Sequence, residues 1–302
     1  MNSQPNAASG LLNPSPVAPA APSETRPLYW SVRRELWEYR SIYIAPLAVA
    51  GLALVGFLIA TIGRALTSPD LVQRRLILAQ PYTFATALIM ASTFIVAIFY
   101  SLEALHAERK DRSILFWKSL PVSDTTTVLS KASIPLVVLP VLTIAITLAT
   151  QWIMLLLSTL VLIGTGMSPA TLWKQLPMFQ SGLIYHLITV HVLWHAPVYG
   201  WLLLVSGWAR RAAFMWAVLP VFALCGLEKI AFNTTYLTAL LKYRLSGPEV
   251  FDMAEPGRFP MGAMAHHALG TYLTSPGLWL GLIATAIFLA AAAWQRRRQG
   301  PI

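Results

Sequence analysis

The chain holds one cysteine, Cys225, so it has no disulfide framework. Charge is also scarce. Asp, Glu, Lys and Arg make up 11% of its 302 residues, too few to cover a soluble surface of this size. Acids are the rarer sign, 12 against 22 Lys and Arg, for a formal charge of +10. No Gly-Lys pair occurs, which excludes a G-x-x-x-x-G-K-[ST] loop for cradling the phosphates of ATP. The first 27 residues contain no apolar run, so the expectation is no cleavable signal peptide, with the first span acting as the insertion signal. That tail is rich in Ala, Pro, Ser and Asn, cannot build a packed core, and is expected to be disordered.

What the chain has instead is oil. Apolar residues make up 56% of it, and six runs approach the ~20 residues that one helical crossing of a bilayer requires. They cover 41–63, 82–102, 134–163, 182–208, 212–227 and 276–294. The fold class expected is an all-α polytopic membrane protein with six transmembrane helices. Pro135 and Pro140 predict a kink at the start of the third span. Lys and Arg set the orientation. With the N-terminus cytoplasmic, 14 of the 22 fall inside, including the pair Arg210–Arg211 and the triplet Arg296, Arg297 and Arg298. Both termini then lie in the cytoplasm. The excess positive charge reads as topology and attraction to anionic lipid, not to nucleic acid.

Before the first span, residues 28–40 read LYWSVRRELWEYR. Tyr29, Val32, Leu36 and Tyr39 recur at helical spacing, with Ser31, Arg34, Glu35 and Glu38 on the other side. Such a helix, edged by Trp30 and Trp37, suits the membrane interface.

A charged island, 103–131, sits between the second and third apolar runs: EALHAERKDRSILFWKSLPVSDTTTVLSK. Helix formers from Asp111 end at Pro121, which cannot continue a helix. Ile114, Leu115, Trp117 and Leu120 make an apolar patch too small to span a membrane. Ser123 or Asp124 supplies a new N-cap for a helix running through Lys131 into the third span. The physics leaves two readings open: a solvated turn that only fixes topology, or a short transverse helix that fits a partner's groove while Glu108, Arg109, Asp111 and Arg112 set its register.

The run from Glu108 through Leu115, then Ser119-Leu120-Pro121-Val122-Ser123 and Lys131, resembles the cytoplasmic loop of ABC transporter permeases of the type-2 exporter class. The motif covers about 25 residues, and the layout matches over 28–298. The resemblance implies that 103–131 is a coupling loop docking on an ATPase subunit through Glu108, Arg109, Asp111, Arg112, Ile114, Leu115, Trp117, Leu120 and Pro121. It makes 28–40 the elbow helix and 41–298 the permease domain. The implied partners are two copies of an ABC ATPase, which would hold ATP and Mg, and a second permease chain, identical or paralogous. The implied location is the bacterial plasma (inner) membrane. This chain itself would be neither enzyme nor cofactor carrier.

Other polar residues invite local readings. His191 and His195, i and i+4 in the fourth run, share a helix face, while His186 should point elsewhere by about 140°. Ionisable groups inside a span default to a functional hypothesis. Buried structural histidines, a substrate or proton path, and a metal pair all remain open. The zinc-protease pattern is excluded, because Val192 follows His191 where Glu is needed. Glu228 and Lys229 mark the end of the fifth span or a gate in the transport path. The loop 228–275 is the longest outer connection, expected to fold as a cap or re-entrant element, and its His266–His267 with Met253, Met261 and Met264 is only a loose soft-metal pattern. Residues 70–80 are expected to form a separate short surface helix. Gly277 and Gly281 form a GxxxG pattern that permits close helix contact. A non-transporting assembly or sensor subunit, or an intramembrane metal enzyme using His191 and His195, is the competing function.

Overall fold

In hydrocarbon every backbone N–H and C=O must pair within its own segment, so long apolar runs become helices. A computed structural model describes residues 25–60, 71–119, 122–164, 168–170, 173–174, 184, 186–246 and 272–298, and for 25–26 and 71–80 only the backbone. The described residues are helical, with no strand. Six helical stretches are long and apolar enough to cross a membrane: Ser41–Ala60, Pro81–Lys110, Asp124–Gly164, Leu187–Trp208, Ala213–Phe232 and Pro276–Arg298. This is the layout of a polytopic membrane protein, and each stretch overlaps one of the six expected runs.

The helices, in chain order, are α1 (Thr25–Glu38), α2 (Ser41–Ala60), α3 (Leu71–Glu103), α4 (His106–Lys110), α5 (Ile114–Ser119), α6 (Asp124–Ser133), α7 (Leu139–Gly164), α8 (Ala196–Trp208), α9 (Ala213–Phe232), α10 (Tyr236–Ser246) and α11 (Pro276–Arg298). Two π-helical segments, Ile134–Val138 and Leu187–Trp194, lead into α7 and α8. The first carries Pro135 and abuts Pro140, two residues with no N–H to give the α-helical ladder. The expected kink is therefore a widened turn.

One expectation is corrected by the backbone. Residues 71–80 do not form a separate surface helix; they continue straight into the second span as one 33-residue helix with Pro81 inside it. Continuation costs little because the peptide groups freed around a proline can be satisfied by neighbouring groups in a membrane helix. Ser68 and Asp70, the expected start of that helix, lie outside the described residues, as do 1–24, most of 165–185, and 247–271 with His266 and His267.

The spans pack unequally. A core of Ile42, Ala97, Tyr100, Ala132, Ile134, Leu139, Tyr199 and Leu203 joins the first four spans, and Val32 and Leu36 of α1, with Tyr39 just after it, pack against it. Three polar pairs stitch span 2 to span 3: Tyr82 to Ser158 at 3.1 Å, Gln151 Nε2 donating to Thr86 Oγ1 at 3.1 Å, and Thr143 Oγ1 donating to Thr93 Oγ1 at 2.9 Å. Their near-heptad spacing keeps them on one seam, where hydroxyls and amides bind helices together without a hydrophobic drive. Helix α9 is the opposite case: Phe214, Leu219, Phe222, Leu227 and Ile230 face outward, as a helix bathed in lipid requires.

Candidate functional site

At one end of the bundle, charged residues from four helices form a closed net, the ionic end. Glu108 on α4 is 1% exposed. Its Oε1 accepts from Arg34 Nη2 at 2.8 Å and lies 3.0 Å from Lys131 Nζ, while Oε2 accepts from Arg296 Nη1. Glu35, on α1, is equally buried. Its Oε1 accepts from Lys131 Nζ at 2.8 Å and its Oε2 from the Tyr100 hydroxyl at 2.8 Å. Arg296 Nε also lies 3.1 Å from Asp124 Oδ1, an ion pair without hydrogen-bond alignment. Cations and carboxylates thus alternate from α1 through α4 and α6 to α11. Burial opposes the charge of Arg34, but Glu35, Glu108 and Glu38 outweigh it and raise its pKa. Burial, followed by the same carboxylates, pushes the Tyr39 hydroxyl up, so it stays protonated.

Beside the net, Ser206 Oγ accepts from the backbone N–H groups of Leu105 and His106 at 3.0 and 2.9 Å. Arg109 Nη1 donates to the Gly207 carbonyl at 2.6 Å, the orphan C-terminal end of α8. The turn after span 2 is therefore pinned to span 4.

The structure divides the expected docking residues in two. Glu108 and Arg109 point inward and hold the bundle together. Asp111 is exposed and accepts from the Ser113 N–H at 3.0 Å; Arg112 turns the chain with φ 63°, a left-handed backbone. That turn starts the short helix α5 at Ile114, later than the expected Asp111. Ile114 is buried, whereas Leu115 and Phe116 are 58% and 59% exposed. Trp117 lies under the Arg34 guanidinium, 3.6 Å from its ring centroid, which ties α5 to the net. Leu120 and Pro121 lie outside the described residues. Of the two expected caps, Ser123 does the work: its Oγ accepts from Thr126 N at 3.0 Å.

The opposite end is built differently. Glu228 accepts from the N–H groups of Tyr236 and Leu237 at 2.6 and 2.8 Å and from the Thr234 hydroxyl at 2.8 Å. It caps α10 and is fully occupied, while Lys229 beside it is exposed. The C-terminal turn of α10 docks on spans 4 and 6. Trp194 Nε1 donates to the Tyr243 carbonyl at 3.2 Å, His195 Nε2 lies 3.3 Å from the Leu245 carbonyl, and Arg244 donates to the carbonyls of Trp194 and Gly277. The Arg244 guanidinium stacks 4.5 Å from the Trp194 ring. A methyl group on Gly281 would stand 2.5 Å from Arg244 Nη2. The GxxxG pattern is therefore a cradle for a guanidinium rather than a groove for another helix.

His186, His191, His195 and Tyr199 form a column, with ring centroids 5.6, 5.6 and 6.5 Å apart. This corrects the expected direction of His186. In an i→i+5 helix, residues five apart lie over one another, so the π-helical segment brings His186 over His191, and the return to α-helix brings His195 and Tyr199 below it. Phe94 of span 2 packs along the column, 4.8 Å from His195. Among the described residues no group of three or more His, Cys, Asp or Glu is placed to hold a metal.

Sequence reasoning set Arg34 and Glu35 on one side of a helix and counted Arg296 for topology, but gave none of them, nor Arg244, a place in a site. The usable signal was the rule that ionisable groups in or beside a span are costly and find partners. Comparison with protein-family models, curated proteins and solved structures finds no match to this chain.

Proposed function

We propose that the chain is the permease subunit of an ATP-driven exporter, with hydrolysis performed by a separate ATPase docked on α5. The observation that carries this reading is the pairing of an exposed Leu115–Phe116 face with a buried ionic anchor. Force applied to α5 passes through Trp117 and Arg34 to Glu108, and from there to α1, α6 and α11 at once. A free surface loop would dissipate such a push, whereas a closed charge net moves as one body. These 302 residues contain no Gly-Lys pair, so this reading assigns ATP hydrolysis to a partner ATPase. In this reading the ionic end is cytoplasmic, as are both termini, α1 is the elbow helix, and α10 caps the outer side. Two such chains, identical or paralogous, enclose the path in a bacterial plasma membrane, and opening is a rigid-body movement between them.

The test is co-expression of the full chain with a P-loop ATPase and measurement of complex formation and ATP hydrolysis. Leu115→Asp with Phe116→Asp should weaken the complex by about 30-fold or more, the loss expected when ~2 kcal/mol of anchor contact is removed. Unchanged assembly and hydrolysis in that variant would sink the coupling role of α5.

A further inference from the structure

The histidine column contains two imidazole nitrogens with nothing to bind. Nδ1 of His191 and Nδ1 of His195 are buried and have no hydrogen-bond partner, and His195 is only 4% exposed. The other nitrogen of His195, Nε2, lies 3.3 Å from the Leu245 carbonyl. A carbonyl can only accept, so Nε2 of His195 carries the proton and its neutral ring presents a lone pair at Nδ1. Two acceptors left dry inside a protein carry the full penalty of their lost hydration.

The neighbouring span repeats the pattern. Ile144 packs beside Leu187, at the start of the same π-helical segment. Thr147 and Gln151, three and seven residues on, lie along the same stripe of α7. Thr147 Oγ1 and Gln151 Oε1 are buried without partners as well. These two atoms lie on α7, where the Gln151 amide turns its nitrogen toward Thr86 of span 2. Buried water characteristically occupies such places, making two to four bonds to otherwise unpaired groups.

Charge selects the occupant. The groups beside the column are His186 and Tyr199 on its own span, Phe94 on span 2, and Arg244 on α10. The fixed charge acting on His195 is a cation, Arg244. A metal ion would add positive charge where, among the described residues, no carboxylate is at hand to offset it. We propose that His191 and His195 form a binding site for an uncharged hydrogen-bond donor: water in the resting protein, replaced by a hydroxyl or N–H of the cargo during transport. The cargo clause rests on the permease reading above; the water clause does not.

The test uses the full chain, labelled with 15N-histidine, in lipid nanodiscs without ATPase. His191→Gln and His195→Gln each remove one set of resonances and so assign them. Polarisation transferred from water protons should reach both Nδ1 atoms, and both should carry the shift of an unprotonated, hydrogen-bonded nitrogen. Absence of transfer, with shifts of bare nitrogens, would show a dry column and overturn the site. Titration with Ag+ and Zn2+ should leave both resonances in place; a coordination shift replaces the proposal with a metal site, and imidazolium shifts at neutral pH replace it with a proton site. A hydrated pair in a protein that fails to transport would retain the site and remove only the permease reading.

Discussion

The two ends of this bundle handle buried polarity in opposite ways. At the ionic end, Glu35 and Glu108 are met by Lys131, Arg34 and Arg296, and every oxygen of the two carboxylates has a partner. At the other end, Arg244 is held by two carbonyls and an indole face, and His191 and His195 each keep a bare nitrogen. A saturated net of opposite charges has one good arrangement and resists change. A cation held by dipoles, beside unsatisfied acceptors, has weaker claims on one arrangement. The first behaves as an anchor, and the second is where a moving part or a ligand can be accommodated.

Mutations can break or sharpen that contrast. The largest effect is expected for Glu108→Ala, which leaves Lys131, Arg34 and Arg296 facing one another without their shared carboxylate. Thermal unfolding in detergent should show a loss of about 3–5 kcal/mol, the cost of breaking a buried charge pair from one side. A loss under ~1 kcal/mol would mean the net is not closed. At the opposite end Gly281→Ala should cost about 1–3 kcal/mol by pressing a methyl against the Arg244 guanidinium. Combining it with Arg244→Ala should recover most of that loss, and additive losses would remove the cradle. Midway, Tyr82→Phe deletes the bond to Ser158 and should cost about 0.6 kcal/mol, the usual worth of such a bond between membrane helices. The smallest effect, and the one that best separates the two regimes, is Thr147→Val. If its hydroxyl is an unsatisfied atom, the change should be neutral or slightly stabilising, whereas a loss above ~1 kcal/mol would reveal a partner held in place.

How much of this could be read beforehand depended on the range of the physics involved. The six spans follow from the thickness of hydrocarbon, a requirement each segment meets alone, so apolar runs were enough. Ser123 as a cap and Pro135 with Pro140 as a helix irregularity are equally local. Glu35 was not legible. Helical spacing put it on the polar side of α1, but its counter-charge, Lys131, lies 96 positions on, and only packing reveals that this side faces inward. Nor was the purpose of Gly281 legible, since small residues make room for any close neighbour, and the neighbour here is a side chain from α10. Glu108 and Arg109 carried the right chemistry for a surface contact, and nothing in their spacing showed that Arg296 and the end of α8 would claim them first.

The π-helical segment 187–194 has a further consequence for how this span tolerates change in length. It holds a wider turn than α-helix, so it acts as a phase adjuster between the two halves of the span. Removing one residue from it, such as Val192, would draw the segment toward ordinary α-helix, and the lost residue and the tighter turn together would reset the bearing of everything before the cut relative to everything after it. His186 would swing off the column and Leu187 off Met90, while His195, Tyr199 and the whole ionic end kept their bearings. A single deletion would therefore act as a torsional edit, uncoupling the two ends of the molecule without touching a charge.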